Sequence, residues 1–187
     1  MARVTENTLR IIGGQWRGRK LSFPKVEAIR PTPDRVRETL FNWLAPIIQG
    51  ANCLDLFTGS GALGFEALSR GAASVTMCDS DPKIISTLKQ HAALLKITNG
   101  AFFQTDATAF LKRNTQKFDV IFLDPPFASG LLAQCFAILS ESDCLNLGAM
   151  TYVEAHSKEE LPPVPDNWSQ HRSKKAGDVA YYLFIKE

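Results

Sequence analysis

Short apolar runs alternate with stretches of helical periodicity between residues 52 and 154, and this alternation limits the fold more than any other feature of the chain. The apolar runs lack polar residues at every second position, so each is expected to be a strand buried on both faces. Strands that alternate with helices in this way form a parallel sheet with helices on both sides. The sequence therefore predicts an α/β fold with a mostly parallel, doubly wound sheet. The predicted strands are 53–57, 74–78, 101–104, 118–123 and 149–154, and the predicted helices are 62–70, 82–95, 107–112 and 130–140.

The two ends of the chain follow other patterns. Residues 9–23 place a glycine-rich turn between two apolar runs, which predicts a small β-hairpin. A helix is predicted next, with Thr32 as its N-cap and Pro33 as its first residue. Segments 168–174 and 179–186 flank a short polar turn, which predicts a closing antiparallel hairpin. We therefore divide the chain into a basic N-terminal extension, 1–48, and the doubly wound α/β domain, 49–187. The apolar stripe of the first helix consists of Val36, Leu40, Phe41, Leu44 and Ile47.

Positive charge is concentrated in the N-terminal extension. Residues 1–37 contain nine basic and three acidic residues, a net charge of +6, whereas the other 150 residues contain twelve basic and sixteen acidic ones, a net charge of −4. Such a division is typical of a protein that binds a polyanion at one end. On charge alone, a solvated basic face is an equally good interpretation. Arg35 and Arg37 are expected in the first turns of the predicted helix, facing away from its apolar stripe.

A glycine-rich loop joins the first strand of the domain to its helix and matches the G-x-G-x-x-G pattern of nucleotide-binding folds. Gly59 and Gly61 allow a tight turn, because glycine adopts positive φ angles at little steric cost, and Gly64 lets the helix approach the strand. Asp55 is expected to hold the loop through backbone N–H groups and to meet a cationic end of the cofactor. Since a carboxylate would repel a pyrophosphate, the loop favours S-adenosylmethionine over NAD. The predicted cofactor contacts of this loop also include Phe57 and Ser60.

Acidic residues follow the next two predicted strands. Asp79 lies 18 residues after Gly61 and is expected to accept hydrogen bonds from ribose hydroxyls. Asp81 directly precedes a proline, so capping of the next helix is the favoured interpretation. Asp106 is expected to accept a hydrogen bond from an adenine amino group, with the Ala107 N–H nearby, or to cap the following helix. The two roles of Asp106 are compatible.

The fourth predicted strand ends in Asp124-Pro125-Pro126-Phe127, which we interpret as a catalytic loop. Ligands of doubly wound sheets bind at the carboxyl ends of the strands, so this loop should lie beside the glycine loop. Two prolines fix the backbone and remove two N–H donors, which leaves only acceptors for the NH₂ group of a base. Phe127 offers a face for stacking, worth ~1–3 kcal/mol, and Asp124 is expected to take up the departing proton. The alternative is a stiff turn with a buried phenylalanine.

These motifs together are similar to a known family. The D-x-F-x-G-x-G loop followed by D-P-P-F resembles the S-adenosylmethionine methyltransferases that act on the amino groups of bases. A narrower resemblance, from about residue 8 to the C-terminus, is to the bacterial 16S ribosomal RNA guanine-N2 methyltransferases of the small-subunit methyltransferase D type. The segments that carry it are RIIGG at 10–14, RGR at 17–19, RPT at 30–32, DRVRE at 34–38 and LFN at 40–42.

The resemblance implies a Rossmann-like methyltransferase fold and N2 methylation of one guanine, position 966 in the usual small-subunit numbering, in assembled 30S particles. The Asp124–Phe127 segment would hold the target base. Two positions depart from the family pattern: Asp79 stands where Glu is frequent, and His91, expected to be structural, stands where Asn is common. The cofactor residues that the resemblance implies are Asp55, Gly59, Gly61, Asp79 and Asp106.

The resemblance also gives the basic extension a role. A base inside folded RNA must be swung out of its stack to reach an enzyme pocket, and phosphate contacts would hold the RNA while this happens. Trp16 is expected either to stack on a base or to pack within the hairpin. The predicted RNA contacts are Arg10, Arg17, Arg19, Lys20, Arg35 and Arg37.

Three other functions fit parts of the sequence less well. A DNA adenine-N6 methyltransferase would use the same catalytic loop, but it normally needs a recognition domain, for which 187 residues leave no room. A nicotinamide oxidoreductase leaves the D-P-P-F loop and the basic hairpin unexplained. A non-catalytic RNA-binding assembly factor would not need Asp55, the glycine loop and Asp124 to be intact.

The sequence also bounds the setting. No apolar run approaches the ~20 residues of a membrane span, and the N-terminus lacks the apolar core of a signal peptide. The four cysteines form no C-x-x-C pair and are expected to be reduced, as in a reducing compartment. We therefore expect a cytoplasmic monomer that uses no metal and does not bind membranes.

Overall fold

The computed structural model describes residues 7–23 and 32–187. A two-stranded hairpin consists of β1 (Asn7–Arg10) and β2 (Lys20–Phe23), whose strands pair antiparallel. The remaining strands are β3 (Asn52–Asp55), β4 (Ser74–Asp79), β5 (Gly100–Gln104), β6 (Phe118–Leu123), β7 (Leu145–His156), β8 (Trp168–Ala176) and β9 (Val179–Lys186). They form one seven-stranded sheet in the order β5-β4-β3-β6-β7-β9-β8.

In the described part of the chain, five helices lie between the strands. They are α1 (Asp34–Leu44), α2 (Ala62–Ser69), α3 (Pro82–Leu95), α4 (Ala107–Arg113) and α5 (Leu131–Glu141). Strands β3 to β7 pair parallel, and β9 pairs antiparallel with both β7 and β8. The predicted α/β fold with a mostly parallel sheet and a closing antiparallel hairpin is therefore confirmed.

Several predicted bounds were wrong, and strand β3 ends at Asp55 and not at 57. Strand β7 begins at Leu145 and not at 149, because its pairing with β6 continues across an irregularity that includes Gly148 at a φ of 74°. The positive φ angle of Gly148 accommodates a bulge within the strand. Helix α1 ends at Leu44, so Ile47 belongs to the turn that follows, next to Pro46.

The sheet is covered on both faces, and this explains its apolar strands. On one face, the hairpin and helices α1, α2 and α3 share a single hydrophobic cluster. Leu9 and Ile11 of the hairpin pack there with Phe41 of α1 and Phe65 of α2. The extension therefore lies on the core of the domain, and the division of the chain at residue 48 stays a prediction.

The second face is covered by α4 and α5. Leu111 of α4 and Phe136 of α5 share a cluster with apolar residues of β6, β7 and the tail hairpin. Phe136 meets Trp168 at the start of β8 edge-on, with ring centroids 5.5 Å apart. All four cysteines are buried and unpaired. Among the described residues, no helix has the length and apolar character needed to cross a bilayer.

The predicted N-cap of α1 was wrong. The cap position is Pro33, whose side chain has no polar atom, and its carbonyl accepts hydrogen bonds from the backbone N–H groups of Val36 and Arg37. The Thr32 hydroxyl instead donates to Oε1 of Glu154 at 3.1 Å. A carboxylate is a stronger acceptor than a neutral group. The residue expected to start a helix therefore connects α1 to the end of β7.

Candidate active site

Three neighbouring strands bring a carboxyl group to the same edge of the sheet. Asp55 ends β3, Asp124 follows β6 directly, and Glu154 lies near the end of β7. In the sheet register, Asp55 pairs with Phe122, two residues before Asp124. Leu123, directly before Asp124, pairs with Val153, directly before Glu154. The charges of Glu154 and Asp55 both raise the pKa of Asp124. The three acids therefore lie close enough to influence one another.

Asp55 holds the glycine loop, as the sequence predicts. Its Oδ2 accepts hydrogen bonds from the Thr58 hydroxyl and from the Gly64 N–H, both at 3.1 Å. The residue is buried, and burial raises its pKa to about 7, opposed by these hydrogen bonds. Phe57 is half-buried and Ser60 is buried within the same loop. The contacts of these residues with a cofactor stay predictions.

The glycines of the loop have the backbone geometry expected of them. Gly59 and Gly61 adopt φ angles of 48° and 80°. A Cβ atom at Gly64 would lie 2.2 Å from Cε of Met77 on β4, which is far closer than real atoms approach. Gly64 therefore lets α2 pack directly on the sheet, and in the turn before it the Gly59 N–H donates to the Asp79 carboxylate.

Asp79 connects the glycine loop to the end of β4. It accepts hydrogen bonds from the Gly59 N–H at 3.1 Å and from the Asp81 N–H at 2.9 Å. Burial raises the pKa of Asp79, although the residue is only half-buried. Asp81 accepts from the Lys83 N–H at 2.8 Å and caps α3, which confirms the favoured interpretation of that residue.

Asp106 caps α4. Its Oδ1 accepts from the Thr108 hydroxyl at 2.6 Å and from the Ala109 N–H at 3.0 Å, and the Thr108 hydrogen bond is the main cause of its lowered pKa. The side chain is exposed and Ala107 is buried. The capping role is confirmed, and a contact with adenine stays a prediction. Asp106 lies beyond β5, which neighbours the strand that ends at Asp79.

The Asp124–Phe127 loop leaves the sheet between the glycine loop and β7. Asp124 and Phe127 are partly exposed, whereas Pro125 is buried. Burial is the main cause of the strongly raised pKa of Asp124, followed by the charge of Glu154. Ala128 follows with a φ of 56°, an uncommon backbone conformation for a residue with a Cβ atom. Such strained residues concentrate at functional sites.

Phe127 presents its side chain to solvent, with 42% of it exposed. Its ring meets His156 edge-on, with centroids 5.7 Å apart and planes at 86°. The ring is therefore accessible from solvent, as stacking on a base would require. The alternative interpretation, a stiff turn with a buried phenylalanine, is therefore wrong about the phenylalanine, which is exposed.

A cavity of about 240 Å³ opens beside this loop. Residues 125–130 line one side, and the other side consists of Glu154 and Ala155 at the end of β7 together with Glu159, Glu160 and Pro162. Its volume is near the lower limit of pockets that bind small molecules. The Glu154 carboxylate, a proline-rich backbone and an aromatic ring therefore border one concave space.

Sequence reasoning missed Glu154 and Tyr152. Glu154 is buried, and its Oε1 accepts from the Tyr152 hydroxyl at 2.8 Å and from Thr32 at 3.1 Å. The glutamate in the apolar sequence MTYVEAH could have indicated this contact. A charged residue in a strand that is covered on both faces is rarely buried unless it has a partner. Its partner Thr32 could not be identified, since 122 residues separate them.

His91 was expected to be structural, and its surroundings agree. The ring is buried, with its centroid 6.1 Å from that of Phe65. Its Nδ1 has no hydrogen-bond partner among the residues that the structure describes. Burial lowers its pKa, so the neutral form is favoured.

Trp16 is half-buried and packs against the cluster under the hairpin, which favours packing over stacking on a base.

The predicted RNA contacts divide into two groups. Five of them are exposed: Arg10, Arg17, Arg19, Lys20 and Arg35. Arg37 is not, and the expectation that it faces solvent was wrong. Its side chain is 1% exposed and donates to the backbone carbonyls of Thr32 and Arg10 at 3.1 and 2.9 Å. It also pairs with Asp34 and with Glu66.

Glu66 explains why Arg37 is buried. This glutamate is fully buried in α2, and its carboxylate accepts from the backbone N–H groups of Ile12 and Gly13 at 2.9 and 2.8 Å. Arg37 and Arg70 supply the positive charge, the latter at 2.7 Å. A buried carboxylate requires such partners. This network therefore attaches the basic extension to α2. Arg37, an arginine of the extension, is part of the network and is buried.

The hairpin turn lies toward the end of α2 that is farther from the glycine loop. Gln15 and Trp16 donate backbone hydrogen bonds to Ser69, the last residue of that helix, at 2.7 and 3.0 Å. A Cβ atom at Gly14 would lie 1.8 Å from the Ser69 carbonyl oxygen, so this contact is tight. Arg17 and Arg19 follow directly in the turn region, whereas Arg35 lies in the first turn of α1, three residues after Thr32.

Comparison with known proteins shows close relatives. The family model described as "Conserved hypothetical protein 95" matches residues 9–185. Ribosomal RNA small subunit methyltransferase D of Escherichia coli is 50% identical over 179 residues, which cover 96% of this chain and 90% of that protein. The protein of the same name from Haemophilus influenzae is 44% identical, covering 94% and 93%.

A solved structure agrees with these relatives. The yhhF protein of Escherichia coli, described as a methyltransferase, superposes with a TM-score of 0.90 at 48% identity. The match covers 97% of this chain and 99% of that one. The similarity therefore extends over the hairpin, the parallel sheet and the closing antiparallel strands alike.

Proposed function

This chain belongs to the family of the ribosomal RNA small subunit methyltransferases D, and on that premise we propose that it methylates the exocyclic N2 of a guanine in 16S ribosomal RNA. The resemblance implies that this guanine is position 966. The enzyme class is a methyltransferase, as its relatives are named. The observation that carries the proposal is the convergence of Asp55, Asp124 and Glu154 at one sheet edge beside an exposed aromatic ring.

S-adenosylmethionine is the proposed cofactor, and the residues of this edge fit it. When bound, it supplies an electrophilic methyl group. Asp79 offers carboxylate oxygens at the end of β4, where nucleotide folds bind ribose hydroxyls. Asp55 offers a buried negative charge for a cationic group, and Asp106 offers an acceptor beyond β5. The loop at Gly59 and Gly61 lies among these acids.

The Asp124–Phe127 loop is proposed to hold the guanine. Phe127 would stack on the base, while Asp124 and the backbone carbonyls of the prolines would accept hydrogen bonds from the NH₂ group. The nitrogen lone pair of such an amine is delocalised into the ring, so positioning has to supply much of the rate acceleration. Asp124 then accepts a proton from the amine as its nitrogen gains a fourth bond.

The substrate is proposed to be 16S RNA within assembled or assembling 30S particles, bound by a monomer in the cytoplasm. The exposed arginines support this, because Lys and Arg contacts to phosphate hold RNA without reading its sequence. Arg35 lies in the first turn of α1, three residues after Thr32, whose hydroxyl binds Glu154. Arg17 and Arg19 would contact RNA farther from the target base.

The test is methyl transfer from labelled S-adenosylmethionine to small-subunit particles from cells that lack this activity. Nucleoside mass analysis should then show N2-methylguanosine at position 966. Particles from cells that have the activity are the matched control and should accept no label, since their guanine is already methylated. Label recovered as N6-methyladenine would contradict the proposal, and so would tight binding of particles without transfer.

A further inference from the structure

The edge strand β8 carries a cluster of positive charge. The strand lies at one end of the sheet and pairs with β9. Its exposed residues include Arg172, Lys174 and Lys175, and the sequence has a single acidic residue, Asp178, between 168 and 186. None of the three cations forms an ion pair with another residue in the described part of the chain. This end of the sheet is therefore a positive surface that the protein itself does not neutralise.

The sheet register places this cluster beside the active edge. Strands β7 and β8 both pair antiparallel with β9, so they run in the same direction and their carboxyl ends lie at the same edge. Lys174 pairs with Tyr181 of β9, which pairs in turn with Glu154 of β7. Two strand spacings amount to about 10 Å. The backbone of Lys174 therefore lies within reach of a nucleotide that neighbours the target base.

The three cations lie on both faces of the strand. Residues that pair across two strands project to the same face, and the β9 partners of Arg172 and Lys174 belong to the cluster under α1 and the hairpin. Lys175 lies on the other face, where its Nζ donates to the Ser157 carbonyl at 3.4 Å. Ser157 follows β7 directly and begins the segment that forms one wall of the cavity. The positive surface therefore extends from the face of the basic extension to the border of the cavity.

The wall of the cavity has the opposite charge. Glu159 and Glu160 line it and are exposed, and among the described residues no lysine or arginine lines it. Like charges repel one another, so this wall disfavours a phosphate and accepts an uncharged base. The phosphates on either side of a bound base must therefore lie outside the cavity. The cations of β8 lie at its border, where such phosphates need a partner.

Protection of the sheet edge does not account for this distribution. Edge strands often carry lysines that prevent other molecules from adding a strand, but that role requires neither a single sign of charge nor one end of the strand. Residues 168–170 lie at the same edge and are uncharged. The cations follow the irregularity between Gln170 and Arg172, in the half of the strand that approaches the active edge. Their position therefore fits a polyanion bound at that edge.

We propose that Arg172, Lys174 and Lys175 form a second RNA-binding surface, which binds phosphates of the nucleotides next to the target guanine while that base lies against the Asp124–Phe127 loop. The inference rests on the function proposed above and names a further contact of the same substrate. Phosphate contacts fix the position of a nucleic acid and carry no sequence information. The RNA is held by two separate parts of the chain, the N-terminal extension and β8.

The first experiment measures binding to small-subunit particles from cells that lack the activity, over a range of salt concentrations. Each phosphate contact contributes about 0.7 to 0.9 to the slope of log affinity against log salt. Arg172→Gln combined with Lys174→Gln should therefore reduce the slope by about 1.5, which corresponds to roughly 30-fold weaker binding at 0.1 M salt than in the wild type. The affinity for S-adenosylmethionine and the single-turnover rate at saturating particles should change little, because neither residue touches the reacting atoms.

The control variant removes the same charge elsewhere. Lys89→Gln combined with Lys112→Gln changes two exposed lysines on α3 and α4, which lie outside both proposed RNA-binding surfaces. It should keep the wild-type slope and affinity. An equal loss in the two double variants would show that net charge alone sets the affinity, and it would contradict a phosphate site on β8.

The second experiment keeps all charges and locates the RNA. The four natural cysteines are buried, so Ser173→Cys places a reactive thiol among the cations. An iron chelate attached to it produces hydroxyl radicals that cleave nearby RNA. Cleavage of bound particles should map to nucleotides within a few positions of the target guanine. Thr115→Cys is the matched control, because Thr115 is exposed and precedes β6 at the opposite edge of the sheet, and it should give no cleavage there.

The outcomes separate this surface from the proposed function. If the wild-type protein transfers methyl groups but the β8 variant keeps its slope and affinity, or the chelate at position 173 cleaves no RNA near the target guanine, the surface is wrong. Weaker binding to particles with unchanged binding to protein-free 16S RNA would assign β8 to a ribosomal protein and would also overturn it. A wild-type protein that binds particles and transfers nothing contradicts the proposed function itself, and the cleavage pattern then decides whether β8 binds RNA.

Discussion

Arg37 and Glu66 form an ion pair inside the protein, with Nη1 of Arg37 3.5 Å from Oε2 of Glu66, although they lie on different helices. Both side chains are at most 1% exposed. The same carboxylate binds the backbone of the hairpin at Ile12 and Gly13. The pair therefore joins three parts of the fold: the basic hairpin, α1 and the helix that begins at the glycine loop.

Removal of one partner from this pair should be costly. A buried charge left without its partner destabilises a protein by about 3–5 kcal/mol, so we expect Arg37→Met to lower the free energy of unfolding by about that amount in urea titrations. Arg35→Met is the matched control on the same helix, because Arg35 is exposed, and should change stability by about 0.5 kcal/mol or less. Equal effects of the two substitutions would contradict the assigned roles.

Arg35, unlike Arg37, should contribute directly to RNA binding. Each phosphate contact adds to the dependence of binding on salt. We expect Arg35→Ala to weaken binding to small-subunit particles, to reduce the salt dependence of that binding, and to leave the affinity for S-adenosylmethionine unchanged. Titrations with both ligands would check this. An equal loss of affinity for RNA and cofactor would count against a phosphate contact at this position.

Gly64 should tolerate no side chain. A Cβ atom there would lie 2.2 Å from Cε and 2.9 Å from Sδ of Met77, so α2 or the methionine would have to move. Overpacking of this kind costs about 1–3 kcal/mol, and Gly64→Ala should lower the unfolding free energy by that amount. The double variant with Met77→Ala should lose less stability than the sum of the two single variants, because Met77→Ala removes the atoms that the new Cβ would meet. Additive losses in the double variant would show that the close contact is not the cause.

Because of Asp55, the free energy of unfolding of the protein should fall as pH rises. Burial raises its pKa to about 7 in the folded protein, above the value of 3.8 typical of an exposed aspartate. The stability linked to its proton is complete below the lower value and is lost as pH rises through the higher one. Asp55→Asn should therefore become more stable relative to wild type as pH rises from about 5 to about 8.

Asp106→Asn is the contrasting control for that measurement. The pKa of Asp106 is lowered, mainly by the Thr108 hydrogen bond, so its charged form stabilises the fold and that contribution is lost as pH falls. The two variants should therefore differ from wild type with opposite dependence on pH. Urea titrations of both at the same set of pH values would show it, and parallel curves would contradict the assignment for Asp55.

The parts of the fold that rest on local pattern were predictable. The apolar strands β3, β4 and β6, the glycine turn and the closing hairpin follow from periodicity and from the φ angles that glycine allows. Asp81 was predictable as a cap because Pro82 follows it. In each case the signal lies within a few residues of the position that it determines.

The parts that rest on distant partners were not predictable. Arg37 faces the interior because Glu66 is there, and Glu66 is stable there because the hairpin and two arginines surround it. Thr32 binds Glu154 across 122 residues and so does not cap its own helix. Helical spacing places a residue on one side of a helix, but the charge that it meets depends on elements that the spacing does not describe.

The central claim is that one sheet edge holds the methyl donor and the target amine with separate residues, and paired variants test it most directly. Calorimetry with S-adenosylmethionine and single-turnover transfer to unmethylated particles would be measured for Asp79→Ala and Asp124→Ala. The account predicts that Asp79→Ala loses cofactor affinity, whereas Asp124→Ala binds the cofactor normally and transfers no methyl group. Transfer by Asp124→Ala at the wild-type rate would contradict it.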